Sequence, residues 1–122
     1  MILVDSTIWI DHLRRGDAAL ADLLNRGRVL AHPFVIGELV LGSLHQRHVV
    51  LGALRDLPQA TVATDGEVMG FIDRHALHGR GIGYVDVHLL AATQLSADAR
   101  LWTRDRRLLD AAVKLGVAAV VG

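Results

Sequence analysis

Apolar and polar residues alternate along this chain in blocks that predict strands and helices in turn. Short, uninterrupted apolar runs such as Ile-Leu-Val before Asp5 are typical of buried strands. The longer segments between them repeat apolar residues at the spacing of amphipathic helices. The pattern predicts strands at residues 2–5, 29–32, 61–63, 99–103 and 117–121. It predicts helices at residues 6–14, 17–27, 34–57, 64–79, 86–96 and 106–116.

Strands that alternate with helices at this spacing usually form βαβ units with parallel pairing. We therefore expect an α/β fold, with a mainly parallel four- to five-stranded sheet flanked by helices on both faces. The chain has 122 residues and no repeats or long linkers, so residues 1–122 are predicted to form a single domain.

Composition narrows the classes of function. The chain has no cysteine, which excludes disulfides, thiolate metal sites and cysteine nucleophiles. The formal net charge is zero, which argues against a sequence-independent coat on nucleic acid. No apolar run approaches the ~18 residues of a membrane span, and no signal peptide is visible at the N-terminus. These features favour a cytoplasmic protein without a membrane partner.

Four carboxylates fall near the ends of predicted strands or the starts of helices, where open α/β sheets bind ligands. Asp5 ends the first strand, Glu38 lies one turn into a helix, Asp86 begins a helix and Asp105 follows the fourth strand. Singly, the aspartates are interpretable as helix caps and Glu38 as a solvent-facing residue. Together they would repel one another unless a cation intervened, and oxygen ligands suit Mg²⁺ or Mn²⁺. Their spacing permits this convergence without requiring it.

Basic residues and histidines give weaker signals. Arg104, Arg106 and Arg107 flank Asp105 and are either a solvated face or candidate contacts for the phosphates of a nucleic acid. The seven histidines include two pairs spaced three residues apart, but no third ligand is near and the HExxH pattern is absent. We interpret those histidines as surface or core residues.

Four segments of the chain resemble PIN-domain ribonucleases, specifically the VapC-type toxins of type II toxin–antitoxin systems. They are ILVDSTIWID, FVIGELVLGS, GIGYVDVHLLAA and LWTRDRRLL, in that order along the chain. The resemblance implies a metal-dependent endoribonuclease in which a metal-activated water cleaves RNA. It implies Asp5 and Asp86 as direct ligands of Mg²⁺ or Mn²⁺, with Glu38 and Asp105 acting through the metal's waters or a second ion.

The same resemblance implies further features of the site and its partners. Ser6 and Thr103 match small hydroxyl positions that orient the acids. The expected partners are an RNA substrate, a second copy of the chain in a homodimer, and a cognate VapB-like antitoxin in a heteromeric complex.

Two other classes of protein share parts of this pattern. A non-catalytic PIN-fold interaction module would keep the fold but would be marked by the loss of an acid. This chain retains all four acids. A phosphate-signalling receiver domain needs a lysine after its fifth strand, whereas the only lysine here, Lys114, lies in the last predicted helix. The receiver is therefore the weaker alternative.

Overall fold

A parallel sheet lies at the centre of the molecule. The computed structural model describes residues 1–121. Within that range the sheet has three strands, β1 (Ile2–Val4), β2 (Val29–Leu30) and β3 (Arg100–Trp102), in the order β2-β1-β3. Both pairings are parallel. The predicted α/β class with a parallel sheet is therefore confirmed, but the described residues form three strands and not the four to five that were predicted.

Both edges of the sheet continue for a single residue. Ala31 bridges to Gln59 beside β2, and Leu101 bridges to Ala118 beside β3. The predicted strand at 117–121 is thus reduced to one bridge. The prediction of a strand at 61–63 is wrong, because the backbone there turns away and Thr61 N donates to the Ser96 hydroxyl (3.0 Å) instead of to a strand.

Helices flank the sheet. In the described residues they are α1 (Ser6–Arg15), α2 (Ala18–Asn25), α3 (Pro33–Leu41), α4 (Arg47–Asp56), α5 (Asp65–His75), α6 (Tyr84–Leu95) and α7 (Arg106–Lys114). None of them combines the length and hydrophobicity needed to cross a membrane.

Two helix boundaries differ from the prediction. The helix predicted over 34–57 is divided into α3 and α4, because Gly42 is extended and Gln46 has a left-handed backbone (φ 53°). The helix predicted over 64–79 ends at His75, where Ala76 takes a left-handed conformation (φ 50°). Its predicted start is correct, since Thr64 and Glu67 form a complete capping box.

The central strand determines where the first acid lies. Leu3 and Val4 of β1 are fully buried, as is Leu101 of the neighbouring β3. Asp5 N donates to Trp102 O (3.0 Å), so the parallel pairing of β1 with β3 continues one residue beyond β1. The core therefore places the Asp5 carboxylate at the carboxyl edge of the sheet.

A buried histidine begins α3. The His32 side chain is fully buried, and its Nδ1 accepts from Phe34 N (3.0 Å) as the helix cap. Burial, and then the charge of nearby His88, lowers the pKa of His32 from 6.5 to about 4. Between pH 6.5 and about pH 4, the unfolded chain therefore binds a proton that the native state does not bind, and the stability of the fold falls as the pH falls.

We expect His32→Asn to flatten this acid dependence, because asparagine retains an acceptor for the Phe34 N–H but does not titrate. The free energy of unfolding of the wild type should decline more steeply between pH 6.5 and about pH 4 than that of the variant. Urea unfolding at several pH values measures both slopes. Identical slopes would contradict the assignment, whatever the absolute stabilities.

Candidate active site

Asp5 lies at the end of the central strand and is only 4% exposed. Its Oδ1 accepts from Ser6 N (2.7 Å), which makes it the cap of α1. The capping interpretation of Asp5 is therefore correct. This bond uses one of the roughly four acceptor positions that a carboxylate offers.

Three hydroxyl groups surround the Asp5 carboxylate. Thr103 Oγ1 donates to Oδ2 (2.7 Å) and Ser6 Oγ donates more weakly to Oδ1 (3.4 Å). These are the two hydroxyls expected from the family resemblance. The structure adds Thr7, whose Oγ1 also donates to Oδ2 (2.9 Å). Its place in the first turn of the helix that Asp5 caps is the signal that the sequence carries for this contact.

The two threonines also attach the turn after β3 to Asp5. Thr7 Oγ1 accepts from Arg104 N (3.2 Å), and Thr103 Oγ1 accepts from Asp105 N (3.0 Å). Each hydroxyl therefore donates to the carboxylate and accepts a backbone N–H from this turn. The position of Asp105 relative to Asp5 is set by these hydrogen bonds.

Asp86 and Asp105 also cap helices. Asp86 Oδ2 accepts from Gly83 N (3.1 Å) at the start of α6, and Asp105 Oδ1 accepts from Leu108 N (3.0 Å) at the start of α7. In both side chains the other carboxylate oxygen makes no hydrogen bond to residues 1–121. The capping interpretation is again correct, and it leaves an oxygen of each carboxylate for a ligand.

Electrostatic effects connect all four predicted acids. Partial burial, followed by the charges of Asp5 and Asp105, raises the pKa of Asp86, although the Gly83 N–H opposes the shift. Partial removal from water, followed by the charges of Asp5 and Asp86, raises the pKa of Glu38. The fold thus brings Asp5 and Asp105 near enough to Asp86, and Asp5 and Asp86 near enough to Glu38, for their charges to disfavour the ionisation of Asp86 and Glu38.

The donor set has the chemistry of a site for a hard divalent cation. All four side chains supply oxygen, and a cation would relieve the repulsion that raises two of the pKa values. Over residues 1–121, no three His, Cys, Asp or Glu side chains are gathered tightly enough to hold a metal by themselves. Mg²⁺ usually retains several waters and binds one or two carboxylates directly, so the residues fit a largely hydrated ion.

The three candidate arginines differ in their surroundings. Arg104 forms salt bridges with two carboxylates: its Nη1 lies 2.5 Å from Asp11 Oδ2, and its Nη2 lies 2.6 Å from Asp17 Oδ2. Its charge is therefore largely compensated within the protein. Arg106 is exposed at the start of α7. Arg107 lies against Gly81, where any side chain would collide with its guanidinium.

A basic cleft lies beside this last arginine. Its volume is about 380 Å³, and it is lined by Arg80, Arg107, Asp110, Ala111 and Lys114. Three cationic side chains therefore face one carboxylate. The sequence indicated Arg107 but not Arg80 and Lys114, which the turn before α6 and the last turn of α7 bring next to it.

Comparison with known proteins identifies the fold and its relatives. A PIN-domain family profile matches residues 2–114. The chain is 51% identical over 118 residues to Ribonuclease VapC32 of Mycobacterium tuberculosis, covering 97% of this chain and 95% of that protein. It is 36% identical over 114 residues to Ribonuclease VapC19 of the same organism, covering 88% and 90%.

Solved structures agree on the fold. FitAB bound to an IR36 DNA fragment superposes with a TM-score of 0.67 at 17% identity, covering 98% of this chain and 94% of that one. FitAcB from Neisseria gonorrhoeae gives a TM-score of 0.65 at 20% identity, covering 97% and 95%. The chain belongs to the PIN-domain family. Its resemblance to VapC-type members, inferred from four sequence segments, is confirmed.

We expect Asp86→Asn to stabilise the metal-free protein at neutral pH. The native pKa of Asp86 is raised, so between its ordinary and its raised pKa the native state holds a proton that the unfolded chain has released. The stability of the fold therefore falls as the pH rises between these two pKa values. Asparagine removes the charge but retains an acceptor for Gly83 N. Thermal unfolding in EDTA at pH 7 should show a midpoint higher by roughly a few degrees.

Asp17→Asn is a control of opposite sign. The Leu20 N–H, and then Arg104, lower the pKa of Asp17, so its ionised form stabilises the fold above its ordinary pKa and this stability is lost in acid. This variant should lower the midpoint at pH 7. A fall in the midpoint with both variants would contradict the repulsion inferred at Asp86.

We expect Thr7→Val to cost about 1–2 kcal/mol of unfolding free energy, because it removes the donor to Asp5 and the acceptor for Arg104 N at nearly constant volume. Thr7→Ser should recover most of the loss, since it restores the hydroxyl. Urea unfolding measures both values. Equal stability of the valine and serine variants would show that the hydroxyl does not hold this turn.

Proposed function

We propose that this protein is a toxin of a toxin–antitoxin pair that cleaves RNA phosphodiesters endonucleolytically with the help of Mg²⁺ or Mn²⁺. The observation that carries this proposal is that Asp5, at the carboxyl edge of the sheet, and its acidic neighbours contribute to the raised pKa values of Asp86 and Glu38. Relatives named as VapC ribonucleases support the reaction class. No side-chain nucleophile is required, because water attacks the phosphorus.

Asp5 and Asp86 would hold the cation directly, and Glu38 and Asp105 would contact it through its waters or hold a second ion. A divalent cation bound there lowers the pKa of a coordinated water and neutralises charge on the transferring phosphoryl group. The hydroxyls of Thr7 and Thr103 hold the buried Asp5 carboxylate in one orientation, because the carboxylate cannot rotate without losing these hydrogen bonds.

Glu38 is suited to accept a proton. It lies on α3 at the rim of the site, and its raised pKa brings its carboxylate closer to the range of an effective general base. In this proposal Glu38 Oε accepts the proton of the attacking water as its oxygen bonds to phosphorus, the bond from phosphorus to the 3′ oxygen breaks, and the leaving 3′ oxygen takes a proton from solvent water. The products are then a 5′-phosphate and a 3′-hydroxyl.

The RNA backbone needs positive charge on the protein. Arg104 supplies little, because Asp11 and Asp17 already bind it. The basic cleft of Arg80, Arg107 and Lys114 is the better candidate for the phosphates, with Arg106 beside it. If RNA phosphates bind this cleft, the affinity for RNA should fall as the salt concentration rises, and it should fall less steeply in Arg107→Gln than in the wild type.

An apolar groove supports the antitoxin as a partner. It has a volume of about 520 Å³ and is lined by Ile10, Leu13, Glu38 and Val50, among others. An adjoining depression of about 230 Å³ shares Leu13 and Val50 and extends to Leu54. An apolar antitoxin segment bound along this surface would reach Glu38 and obstruct the acidic site.

We further propose that the protein is cytoplasmic and that its single-domain chains form a homodimer. Light scattering of the purified protein measures its mass and so tests the dimer.

We expect purified protein to cleave total RNA with Mg²⁺ or Mn²⁺ and not with EDTA. Asp5→Asn and Asp86→Asn should each lower the rate by about 100-fold or more, because each removes a direct ligand. Gel analysis and sequencing of 5′ ends measure rate and cleavage position. Equal cleavage by the wild type and both variants would identify a contaminant and overturn the proposal.

Calorimetric titration with Mn²⁺ separates the enzyme from a non-catalytic interaction module of the same fold. The wild type should bind the ion near neutral pH, and Asp86→Asn should bind it at least about tenfold more weakly. Absence of binding to the wild type would favour the interaction module.

A further inference from the structure

We propose that Phe34 and Tyr84 form a stacking platform for a nucleobase of the RNA next to the acidic site. This inference rests on the proposed function, because it assigns positioning residues for the same substrate. It concerns an aromatic pair that the sequence analysis left without a role.

Exposure distinguishes these two aromatic side chains from the others. The chain has two tryptophans, two phenylalanines and one tyrosine. Trp9, Trp102 and Phe71 are buried in the core. Phe34 and Tyr84 are 36% and 44% exposed. The aromatic rings that solvent can reach are therefore these two, and they come from different helices.

Both rings pack on the same buried histidine. The His88 imidazole is 2% exposed, with its centroid 4.6 Å from that of Phe34 and 4.7 Å from that of Tyr84. Both contacts are edge-on, at 63° and 83°. Throughout residues 1–121, neither imidazole nitrogen has a hydrogen-bond partner. His88 thus serves as an aromatic support that holds the two rings against its sides.

A further contact restrains each ring. Tyr84 Oη donates to Asp65 Oδ1 (3.3 Å), which connects the start of α6 to the start of α5. Phe34 also contacts the His32 ring, with centroids 5.1 Å apart. The rings are therefore held in place before any ligand arrives, and less side-chain entropy is lost on binding.

The platform lies beside Glu38. Phe34 precedes Glu38 by one helical turn on α3, so both lie on the same face of that helix. Tyr84 is the first residue of α6 and, two positions before Asp86, lies on a different side of that helix from it. It joins Phe34 through the His88 ring, on which both rings pack. A base stacked on Phe34 would belong to a nucleotide close to the phosphate at the acids.

The chemistry favours a nucleobase over a protein partner. Single-stranded nucleic acids are held by aromatic faces that stack any base together with cations that follow the backbone. The basic cleft supplies cations, and the platform would supply the aromatic faces. A protein interface needs a continuous surface of several hundred Å² on each partner, and neither ring lines the apolar groove between α1 and α4.

The test uses a short single-stranded RNA of randomised sequence with 2-aminopurine at its centre. Binding is measured in the Asp86→Asn background with Mg²⁺, so that the RNA is not hydrolysed. Phe34→Leu and Tyr84→Leu should each weaken binding about tenfold or more and reduce the fluorescence quenching that stacking produces. Tyr84→Phe, which retains the ring and removes the Asp65 contact, should bind within about twofold of its parent.

Leu95→Ala is the matched control, because Leu95 is 45% exposed at the opposite end of α6. It should change neither affinity nor quenching. Unchanged quenching in both leucine variants would overturn the platform. A shift in the monomer–dimer equilibrium with unchanged RNA binding would overturn it in favour of a protein contact.

Failure of the two proposals gives different results. If ring-dependent quenching is seen but the wild type cleaves no RNA, the platform is supported and the proposed hydrolysis is not. If the wild type cleaves RNA and the leucine variants retain its KM, the hydrolysis is supported and the platform is overturned. If the leucine variants have a higher KM with kcat retained, and Tyr84→Phe remains active, the result supports positioning by the ring.

Discussion

The Asp5 carboxylate is the constraint on which the rest of the site depends. It is buried at the end of the central strand, yet its backbone and side chain hydrogen-bond to two segments of the chain. One is the first turn of α1, and the other is the end of β3 with Thr103, from which the threonines continue to the turn into α7. An unpaired buried carboxylate would be strongly disfavoured, and these donors offset the loss of hydration. The same hydrogen bonds position a negative charge that acts on Glu38 and Asp86 and contributes to their raised pKa values.

This arrangement opposes the stability of the metal-free protein. Asp86 and Glu38 both ionise less readily in the fold than in an unfolded chain, because they are partly removed from water beside other acids. Helix capping by Asp86 and Asp105 recovers part of the free energy, since each carboxylate satisfies a backbone N–H. Capping and ligand binding are therefore compatible tasks of different oxygens.

The sequence predicted the fold class, most of the helices and the acids that come together. These features have local signals: apolar periodicity, capping spacing and the position of Asp5 after a buried run. The short edge pairing at Gln59 had no such signal, because a single bridge depends on where the preceding helix ends. The division of α3 from α4 was equally hidden, since Gln46 adopts a left-handed backbone only in the folded chain.

Long-range partners were the other features that the sequence could not supply. Arg104 follows β3, and its neighbours along the chain suggested a phosphate contact, yet Asp11 and Asp17 lie more than 80 positions away and bind its guanidinium. This pairing changes the charge distribution of the site. With Arg104 compensated, the attraction for a phosphodiester must come from a bound cation, from the exposed Arg106 and from the cleft around Arg107. An anionic substrate would then be admitted only when the cation is in place, which links substrate binding to metal occupancy through ordinary Coulomb repulsion.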